Sequence, residues 1–135
     1  MRKKGFSLIE VIITIGILFI LAFAMILLIN PAEKLLNARD SQRRIHVEAL
    51  YGATSHYFFE NKSFPDCVTL SAVDIISCNQ LVPDYLFELP EDPICGSEIE
   101  TGYHVKRDGV MNEFGIKAIC AEGEEEITVG VWSDE

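Results

Sequence analysis

The longest apolar stretch of the chain runs from Phe6 to Ile29, and Glu10 is its only charged residue. At about 1.5 Å per residue, a helix over this stretch covers about 36 Å, enough to cross a hydrocarbon core of about 30 Å. The basic residues 2–4, Arg-Lys-Lys, precede it. Because positive flanks stay on the cytoplasmic side, we predict a cytoplasmic N-terminus and an exported remainder of the chain.

After the apolar stretch, the pattern becomes that of an amphipathic helix. Apolar residues recur near heptad spacing from Leu36 to Phe58, and charged residues occupy the other faces. Residues 30–33, Asn-Pro-Ala-Glu, allow two interpretations: a capping box that starts a new helix, or a proline bend within one continuing helix. The helix is predicted to end near Glu60, ahead of Pro65.

The segment from Asp66 to Pro93 has no long periodic run and is predicted to be an ordered connecting loop. Within it, Ser71 has the position of an N-cap for a short helical turn that reaches Ile76. Residues 83–86 are predicted to form a second helical turn.

The last third of the chain has the alternation of antiparallel strands. Residues 102–106 predict a first strand, 107–109 have hairpin-turn chemistry, 112–119 predict the return strand and 127–132 a final strand. Three strands packed on a helix make a small α+β head. A length of 135 residues leaves room for one exported domain.

Charge is distributed unevenly along the chain. Residues 1–60 contain 7 Lys and Arg against 5 Asp and Glu, whereas residues 61–135 contain 4 against 16, a formal charge of −12. Affinity for nucleic acid comes largely from basic groups that neutralise phosphates. No nucleic-acid partner is therefore expected for the acidic head.

Four cysteines, which allow three pairings, lie in the exported part. A small exported domain often gains about 2–4 kcal/mol from each disulfide. We favour Cys67 with Cys78, which closes a local loop, and Cys95 with Cys120, which ties the start of a loop to the sheet. Zinc is the alternative, but no pair has CxxC spacing and export disfavours zinc thiolates.

The sequence gives no sign of an enzyme. His46, His56 and His104 are isolated, and no Ser, Cys or carboxylate stands with them in a recognisable nucleophile or metal arrangement. We predict no catalytic residue and no metal site.

Glu10 is the anomaly of the apolar stretch, because a carboxylate there costs about 2.5–3.5 kcal/mol on insertion scales. Such a residue usually has a partner. The nearest suitable positive charge is the α-amino group that a cut after Gly5 creates, on a neighbouring copy of the chain.

Residues 3–11, Lys-Lys-Gly-Phe-Ser-Leu-Ile-Glu-Val, resemble the leader and first mature residues of type IV prepilins and the related pseudopilins. The resemblance implies cleavage after Gly5 by a prepilin peptidase, N-methylation of Phe6 and a role for Glu10 in subunit recruitment. It also implies that the apolar helices leave the bilayer and pack in the core of a fibre. Residues 81–93 are more weakly similar to the loop between helix and sheet in small pilins and major pseudopilins.

Two other interpretations of the N-terminus compete with this one. A secretory signal peptide would use residues 22–24, Ala-Phe-Ala, as its cleavage site. Cleavage there would leave an apolar patch at the new N-terminus, and Glu10 would have no role. A single-pass anchor explains hydrophobicity and orientation, but not the order Gly-Phe-Ser-Leu-Ile-Glu.

The expected fold is α+β and pilin-like, with a long N-terminal helix packed on a small antiparallel sheet. Residues 1–5 are the expected leader, 6–29 the transmembrane and filament-core half of the helix, 30–60 its amphipathic half, and 61–135 the loop and sheet of the head.

The expected function is a structural subunit of a type IV pilus-like filament. A pseudopilin of a type II secretion or DNA-uptake system is the first alternative, and a single-pass anchored extracytoplasmic binding module is the second. Expected partners are the prepilin peptidase, further copies, other pilin subunits, the assembly platform and, before assembly, membrane lipid. The expected location is the inner membrane, with the assembled filament in the periplasm or at the cell surface.

Two features of the charged residues give further expectations. Arg39, Arg43 and Arg44 are either a solvated helix face that includes pairs with Asp40, or contacts to the acidic heads of adjacent subunits. The acidic run in residues 122–126, together with Asp108, suggests a calcium site. The major pseudopilins of type II secretion are expected to bind calcium in a C-terminal loop. The chain lacks the spacing of an EF-hand. Solvated turn residues and no cofactor are therefore the expectation, with calcium as the alternative.

Overall fold

The computed structural model describes residues 5–110, 113–123 and 125–132, apart from the side chain of Ile29. The chain divides into two compact units, the first ending at Leu35 and the second beginning at Leu36.

The first unit consists mainly of helix α1, Leu8–Ile29. Ser7 precedes it with extended dihedral angles, φ −75° and ψ 143°, and Asn30 follows it with φ 45° in the left-handed region. The new helix α2 then begins at Pro31, so residues 30–33 start a second helix rather than bend one continuing helix. The side-chain amide of Asn30 donates to the carboxylate of Glu33 at 3.1 Å.

Helix α2 spans Pro31–Asn61, one residue beyond the predicted end. Lys62 ends it with φ 57°, and Pro65, which cannot donate a helical hydrogen bond, follows in the chain. In the second unit α2 buries one face, which consists of Arg43, Val47, Leu50, Ala53 and Thr54.

The sheet has four antiparallel strands in the order β1-β2-β3-β4. They are β1 Val73–Asp74, β2 Tyr103–Arg107, β3 Phe114–Ala118 and β4 Thr128–Gly130. The meander of β2, β3 and β4 was predicted, although Asn112 of the predicted return strand lies outside the described residues. Strand β1 was not predicted, since two residues are too short for an alternation to be visible.

Strand β4 is shorter than predicted because the chain bends at Gly130. Its φ is +86°, and a side chain there would collide with the carbonyl oxygen of Phe114. The backbone of Val131 continues past β3, where its amide donates to that same carbonyl at 3.1 Å. Only glycine permits both the dihedral angle and the close approach.

The prediction of Ser71 as a helix cap was wrong, because Asp74 has this role. A short 3₁₀ helix spans Ile75–Ser77, and the Asp74 carboxylate accepts from the amide of Ile76 at 2.9 Å. The same carboxylate accepts from the amides of Thr101 and Gly102 at 3.1 Å. A carboxylate satisfies more N–H groups than a hydroxyl can, which explains why this position caps the turn.

The second predicted helical turn, residues 83–86, was also wrong. The structure has a hydrogen-bonded turn there, in which the amides of Tyr85 and Leu86 both donate to the carbonyl of Leu81. A separate 3₁₀ helix, Asn79–Leu81, comes directly before it.

The core lies between α2 and one face of the sheet. Tyr103 and Val105 of β2 are fully buried, and Val47 and Leu50 of α2 are the fully buried apolar side chains opposite them. The alternation along β2 places His104 and Lys106 on the other face. This arrangement confirms the predicted α+β class, with a second helix and a fourth strand added.

Both predicted disulfides are confirmed. Cys67 is bonded to Cys78 and Cys95 to Cys120. The second bridge joins the loop before β2 to the segment after β3, across 25 residues of sequence. By the chain-entropy model each bridge contributes about 2–4 kcal/mol to the stability of the head.

Candidate functional site

The segment before α1 has the geometry of an accessible cleavage site. Residues 5–7 are not helical, and Phe6 is 82% exposed. A side chain added at Gly5 would meet no atom within 4 Å, so the fold itself does not require glycine there. The Gly5–Phe6 bond therefore lies in exposed, non-helical chain of the kind that proteases cleave.

Glu10 is the third residue of α1, and its amide donates to the carbonyl of Ser7 at 3.0 Å. Its side chain is exposed and has no hydrogen-bond or ion-pair partner among the described residues. The helix N-terminus stabilises a carboxylate by about 0.3–1 kcal/mol, less than the roughly 2.5–3.5 kcal/mol that burial in lipid costs. The helix end alone does not offset the cost, so an apolar environment requires a further partner for Glu10.

Helix α1 exposes large apolar side chains on every side. The stretch Leu8–Leu28 has a mean hydropathy of 3.1, and none of it is buried inside the described structure. A helix that is apolar on all sides is stable in lipid or among other helices, because exposing so large an apolar surface to water is energetically unfavourable. Its 22 residues cover about 33 Å at about 1.5 Å each, close to the thickness of a hydrocarbon core.

The head contains a buried ion network around Arg43 of α2. The Arg43 Nε donates to Asp92 Oδ2 at 2.6 Å and its Nη2 donates to Asp92 Oδ1 at 3.1 Å. Both side chains are fully buried. The Arg43 Nη1 also donates to Asp40 at 2.7 Å and to Glu122 at 3.0 Å. One guanidinium thus joins the helix, the loop before β2 and the segment after β3.

The carboxylates of this network have further donors. Asp92 Oδ1 accepts from the amides of Ile94 and Cys95 at 2.9 and 3.1 Å. Asp40 accepts from the amides of Glu122 and Gly123 at 3.2 and 2.8 Å. Because its charges are paired and its oxygens bonded, the network satisfies the condition under which buried charges are tolerated.

Arg43 fits neither of the two alternatives, a solvated helix face or a contact to an adjacent subunit, because its side chain is fully enclosed by its own head. Arg39 pairs with Glu122 at 3.2 Å, and Arg44 pairs with Glu125 at 3.1 Å. The three arginines therefore have partners inside the chain. The predicted pair of Asp40 with Arg43 at i and i+3 is present, as part of the larger network.

The network shifts the pKa of both aspartates downward. Burial alone would raise the pKa of Asp92, but the hydrogen bonds from Arg43 and from the amides of Ile94 and Cys95 hold it below the ordinary value. The pKa of Asp40 is lowered in the same way, against the effect of burial, by Arg43 and two backbone amides. Hydrogen bonds from Asp92 raise the pKa of Arg43 despite its burial, so the pair stays ionised.

A second buried polar contact joins α2 to the sheet. The Nδ1 of His46 lies 2.8 Å from the hydroxyl of Tyr103, whose ring is fully buried. Burial lowers the pKa of His46, although Asp92 opposes the shift. Burial also raises the pKa of Tyr103, and Asp92 adds to this effect. The Nδ1 of a neutral His46 can accept a hydrogen bond from the Tyr103 hydroxyl, whereas the Nδ1 of a protonated His46 cannot.

These shifts predict that acid destabilises the head in two steps. Each of His46, Asp40 and Asp92 has a pKa below its ordinary value, so the unfolded chain binds more protons and stability rises with pH. The His46 contribution is present above about pH 6.5 and falls below it, and the aspartate contributions fall below about pH 4. We expect the urea midpoint to decrease between about pH 7.5 and 5.5, and more steeply below about pH 4.

Two histidine variants test the first step. His46→Gln should remove the decrease above pH 5.5, whereas His56→Gln, at an exposed position of the same helix, should retain it. A wild-type midpoint that is constant from about pH 7.5 to 5.5 would contradict the assignment.

No group of three or more His, Cys, Asp and Glu side chains that could hold a metal ion occurs in residues 5–110, 113–123 and 125–132. In the acidic run, Glu122 pairs with Arg39 and Arg43, Glu125 with Arg44, and Glu126 with Lys117. Glu124 of this run lies outside the described residues. The described acidic side chains of this run are thus ion-paired rather than simply solvated. The absence of a cofactor stays the prediction, with calcium as its alternative.

Sequence reasoning missed the partners Asp92 and Glu122. Asp92 stands before Pro93, a pair that favours turn initiation, and its Oδ1 does accept from the amide of Ile94 two residues on. That signal could have placed Asp92 in a turn. It could not have found Arg43, which lies 49 positions earlier.

Comparison with known proteins bears on the N-terminal site. Residues 1–26 match the family model described as the prokaryotic N-terminal methylation motif, which is the signature of type IV pilins and pseudopilins. The matched segment contains Gly5, Phe6 and Glu10 together with most of α1. No curated protein and no solved structure matches the chain.

Proposed function

We propose that the chain is a structural subunit of a type IV pilus-like filament, which a prepilin peptidase processes and which polymerises through α1. One observation carries the proposal: the methylation motif over residues 1–26 coincides with a helix whose apolar surface is exposed on every side. The motif supports a pilin-like or pseudopilin subunit, and the helix supplies the surface through which such a subunit assembles.

The order of events follows from the N-terminal geometry. The chain inserts with its basic flank in the cytoplasm, and α1 crosses the bilayer. Cleavage after Gly5 removes the basic flank and leaves a new α-amino group at Phe6. In lipid, the unpaired carboxylate of Glu10 is energetically unfavourable. In the filament, it pairs with the amino group of a neighbouring subunit. The pair is strong there because the surroundings exclude water.

The head has a structural rather than a chemical part in this proposal. Two disulfides and the Arg43 network fix α2, the loop and the sheet relative to each other. A formal charge of −12 on residues 61–135 keeps the exported surface soluble. We propose no catalytic residue and no cofactor.

The first test is the intact mass and N-terminal sequence of the protein recovered from the membrane and from sheared surface material of its own host. We expect a chain that begins with methylated Phe6 in both fractions. Gly5→Leu provides the control: the fold has room for this side chain, so uncut protein should accumulate in the membrane and disappear from the sheared fraction.

Other results would identify the alternatives. Processed protein that is absent from the sheared fraction would favour a pseudopilin, whose filament stays in the periplasm. An uncut wild-type chain would favour an anchored binding module. A chain that begins at Met25 would indicate a signal peptide and overturn the proposal.

A further inference from the structure

A depression in the head lies where the end of α2 meets the end of β2. It has a volume of about 410 Å³, and its lining includes Phe58, Lys62, Phe64 and Arg107. We refer to it as the Arg107 pocket.

The cations of this pocket differ from the others in the head. From Leu36 onward the chain has seven Lys and Arg residues. Lys106 is engaged by another contact. Four form ion pairs with carboxylates of the same chain: Arg39, Arg43, Arg44 and Lys117. Within the described part of the chain, Lys62 and Arg107 are left without a carboxylate, and both line the Arg107 pocket.

Arg107 has an unsatisfied donor. Its Nε is buried and has no hydrogen-bond partner in the described structure, and its Cζ lies 5.8 Å from the centre of the Phe64 ring. Asp66, the carboxylate that lines the same pocket, is bonded instead to Gln80 at 3.0 Å. Native proteins rarely leave a buried N–H unpaired. The Nη nitrogens of Arg107 also have no hydrogen-bond partner in the described structure, and the planar fork of a guanidinium matches an incoming carboxylate.

The pocket also offers a fixed apolar wall. The rings of Phe58 and Phe64 are stacked, with their centres 4.5 Å apart. Phe64 in turn packs edge-on against Phe114 of β3. Two cations beside an aromatic wall suit a ligand in which carboxylates flank an apolar side chain.

The head presents such a group at residues 98–100, Glu-Ile-Glu, which we refer to as the Ile99 turn. Ile99 is 80% exposed. The amides of Ile99 and Glu100 donate to the hydroxyl of Ser97, at 3.4 and 3.2 Å, so the backbone of the turn is held. Neither carboxylate of the turn has a partner in the described structure. The described acidic residues after β3, Glu122, Glu125 and Glu126, are less suitable, because they are ion-paired within the chain.

The pocket and the turn lie at opposite ends of β2. The turn comes just before Tyr103, where the strand begins, and Arg107 is its last residue, about 13 Å further on at about 3.3 Å per residue. The two sites are also separated along α2. At the start of β2, Tyr103 contacts His46 of α2, whereas at the pocket Phe64 stacks on Phe58, twelve residues further along the same helix. Two different surfaces at opposite ends make a heterologous contact, the kind that generates an open helical filament.

We propose that the Arg107 pocket of one subunit receives the Ile99 turn of another subunit in the filament. Charge supports this choice, because heads of formal charge −12 repel each other unless a contact brings a basic surface to an acidic one. The inference rests on the proposed function, since it requires that the chain polymerises.

The test is charge reversal on each side of the contact, in the full-length chain in its own host. Arg107→Glu alone, and Glu98→Arg with Glu100→Arg, should each lower the yield of sheared filaments about tenfold or more at low salt, and the difference from wild type should become smaller at high salt, which screens the like-charge repulsion. Combining the reversals should restore most of the yield. Glu88→Arg, at an exposed position that precedes the turn in the chain and is not part of it, is the matched control and should leave the yield unchanged.

Subunit levels in the membrane separate assembly from folding. The two glutamates are exposed, so their reversal should not reduce the amount of oxidised subunit in the membrane. Wild-type filaments together with unchanged yields for both reversals would overturn the contact and leave the proposed function intact. Reversals that lower the yield without mutual rescue would also overturn it. A wild-type chain that forms no filament overturns both.

A second measurement places the contact directly. With p-benzoylphenylalanine in place of Ile99, irradiated filaments should contain cross-linked dimers whose adduct lies in residues 58–68 or at Arg107 of the other copy. Adducts elsewhere, or none in intact filaments, would overturn the proposal.

Discussion

Replacing Arg43 by methionine is expected to lower the free energy of unfolding of the head by about 3–5 kcal/mol. The change removes the guanidinium but keeps most of the side-chain volume. Asp92, which is fully buried and bonded to Arg43 at 2.6 Å, then remains as a buried carboxylate without its cation. Urea unfolding of the disulfide-intact full chain in detergent micelles, followed by near-ultraviolet circular dichroism, measures the effect on the head.

Arg44→Met is the matched control, because it makes the same change one residue along the same helix. The pair of Arg44 with Glu125 is exposed on both sides, with 53% and 83% of the side-chain surfaces accessible. Such pairs contribute about 0.2–1 kcal/mol, so the control should unfold nearly as the wild type does. A loss below about 1 kcal/mol for Arg43→Met, or an equal loss for both variants, would contradict the proposed role of the network.

The contrast between these neighbouring arginines shows what the sequence could predict of the head. The periodicity of residues 36–58 predicted an amphipathic helix, and the buried Val47 and Leu50 lie on its apolar face. Arg43 lies on that face as well, and periodicity alone gives an arginine no reason to be there. Its partners come from segments 49 and 79 positions later in the sequence, and local patterns contain no information about pairs so distant.

Disulfide pairing was predicted correctly for a different reason. Four cysteines allow three pairings, and the preference for local closure chose among them. Strands β2, β3 and β4 were visible as alternation, whereas β1 has two residues and its pairing with β2 depends on tertiary contacts. Asp74 and Ser71 are both good cap residues, and the choice of Asp74 depends on Thr101 and Gly102, which a sequence window does not include.

The N-terminal site differs from the head because its chemistry is local. Gly5, Phe6, Ser7 and Glu10 lie within one short stretch, so their spacing is visible in the sequence and matches a family model. The structure adds that the Gly5–Phe6 bond is outside the helix and that Glu10 lacks an intrachain partner in the described residues. The requirement for a further partner of Glu10 in an apolar environment comes from the comparison of about 0.3–1 kcal/mol with about 2.5–3.5 kcal/mol.

Replacing Glu10 by leucine is expected to abolish filaments while leaving membrane insertion intact or improved. Leucine removes the cost of a carboxylate in lipid, about 2.5–3.5 kcal/mol, so the subunit should accumulate in the membrane. In the filament, the change leaves the amino group of the neighbouring Phe6 without its carboxylate. Breaking a buried pair costs about 3–5 kcal/mol, which corresponds to a loss of filament yield of at least about a hundredfold.

Two further variants distinguish the charge of Glu10 from its size and position. Glu10→Gln keeps the shape and loses the charge, so it should fail as Glu10→Leu does. Thr14→Leu makes a polar-to-leucine change one turn along α1 and should give wild-type yield. Among the described residues, the Thr14 hydroxyl donates only to the carbonyl of Val11. Intact mass and the sheared fraction are measured for all variants. Wild-type yield from Glu10→Leu would exclude the pairing. An anchored binding module would insert as well as the wild type or better, and would keep its function, with all three changes.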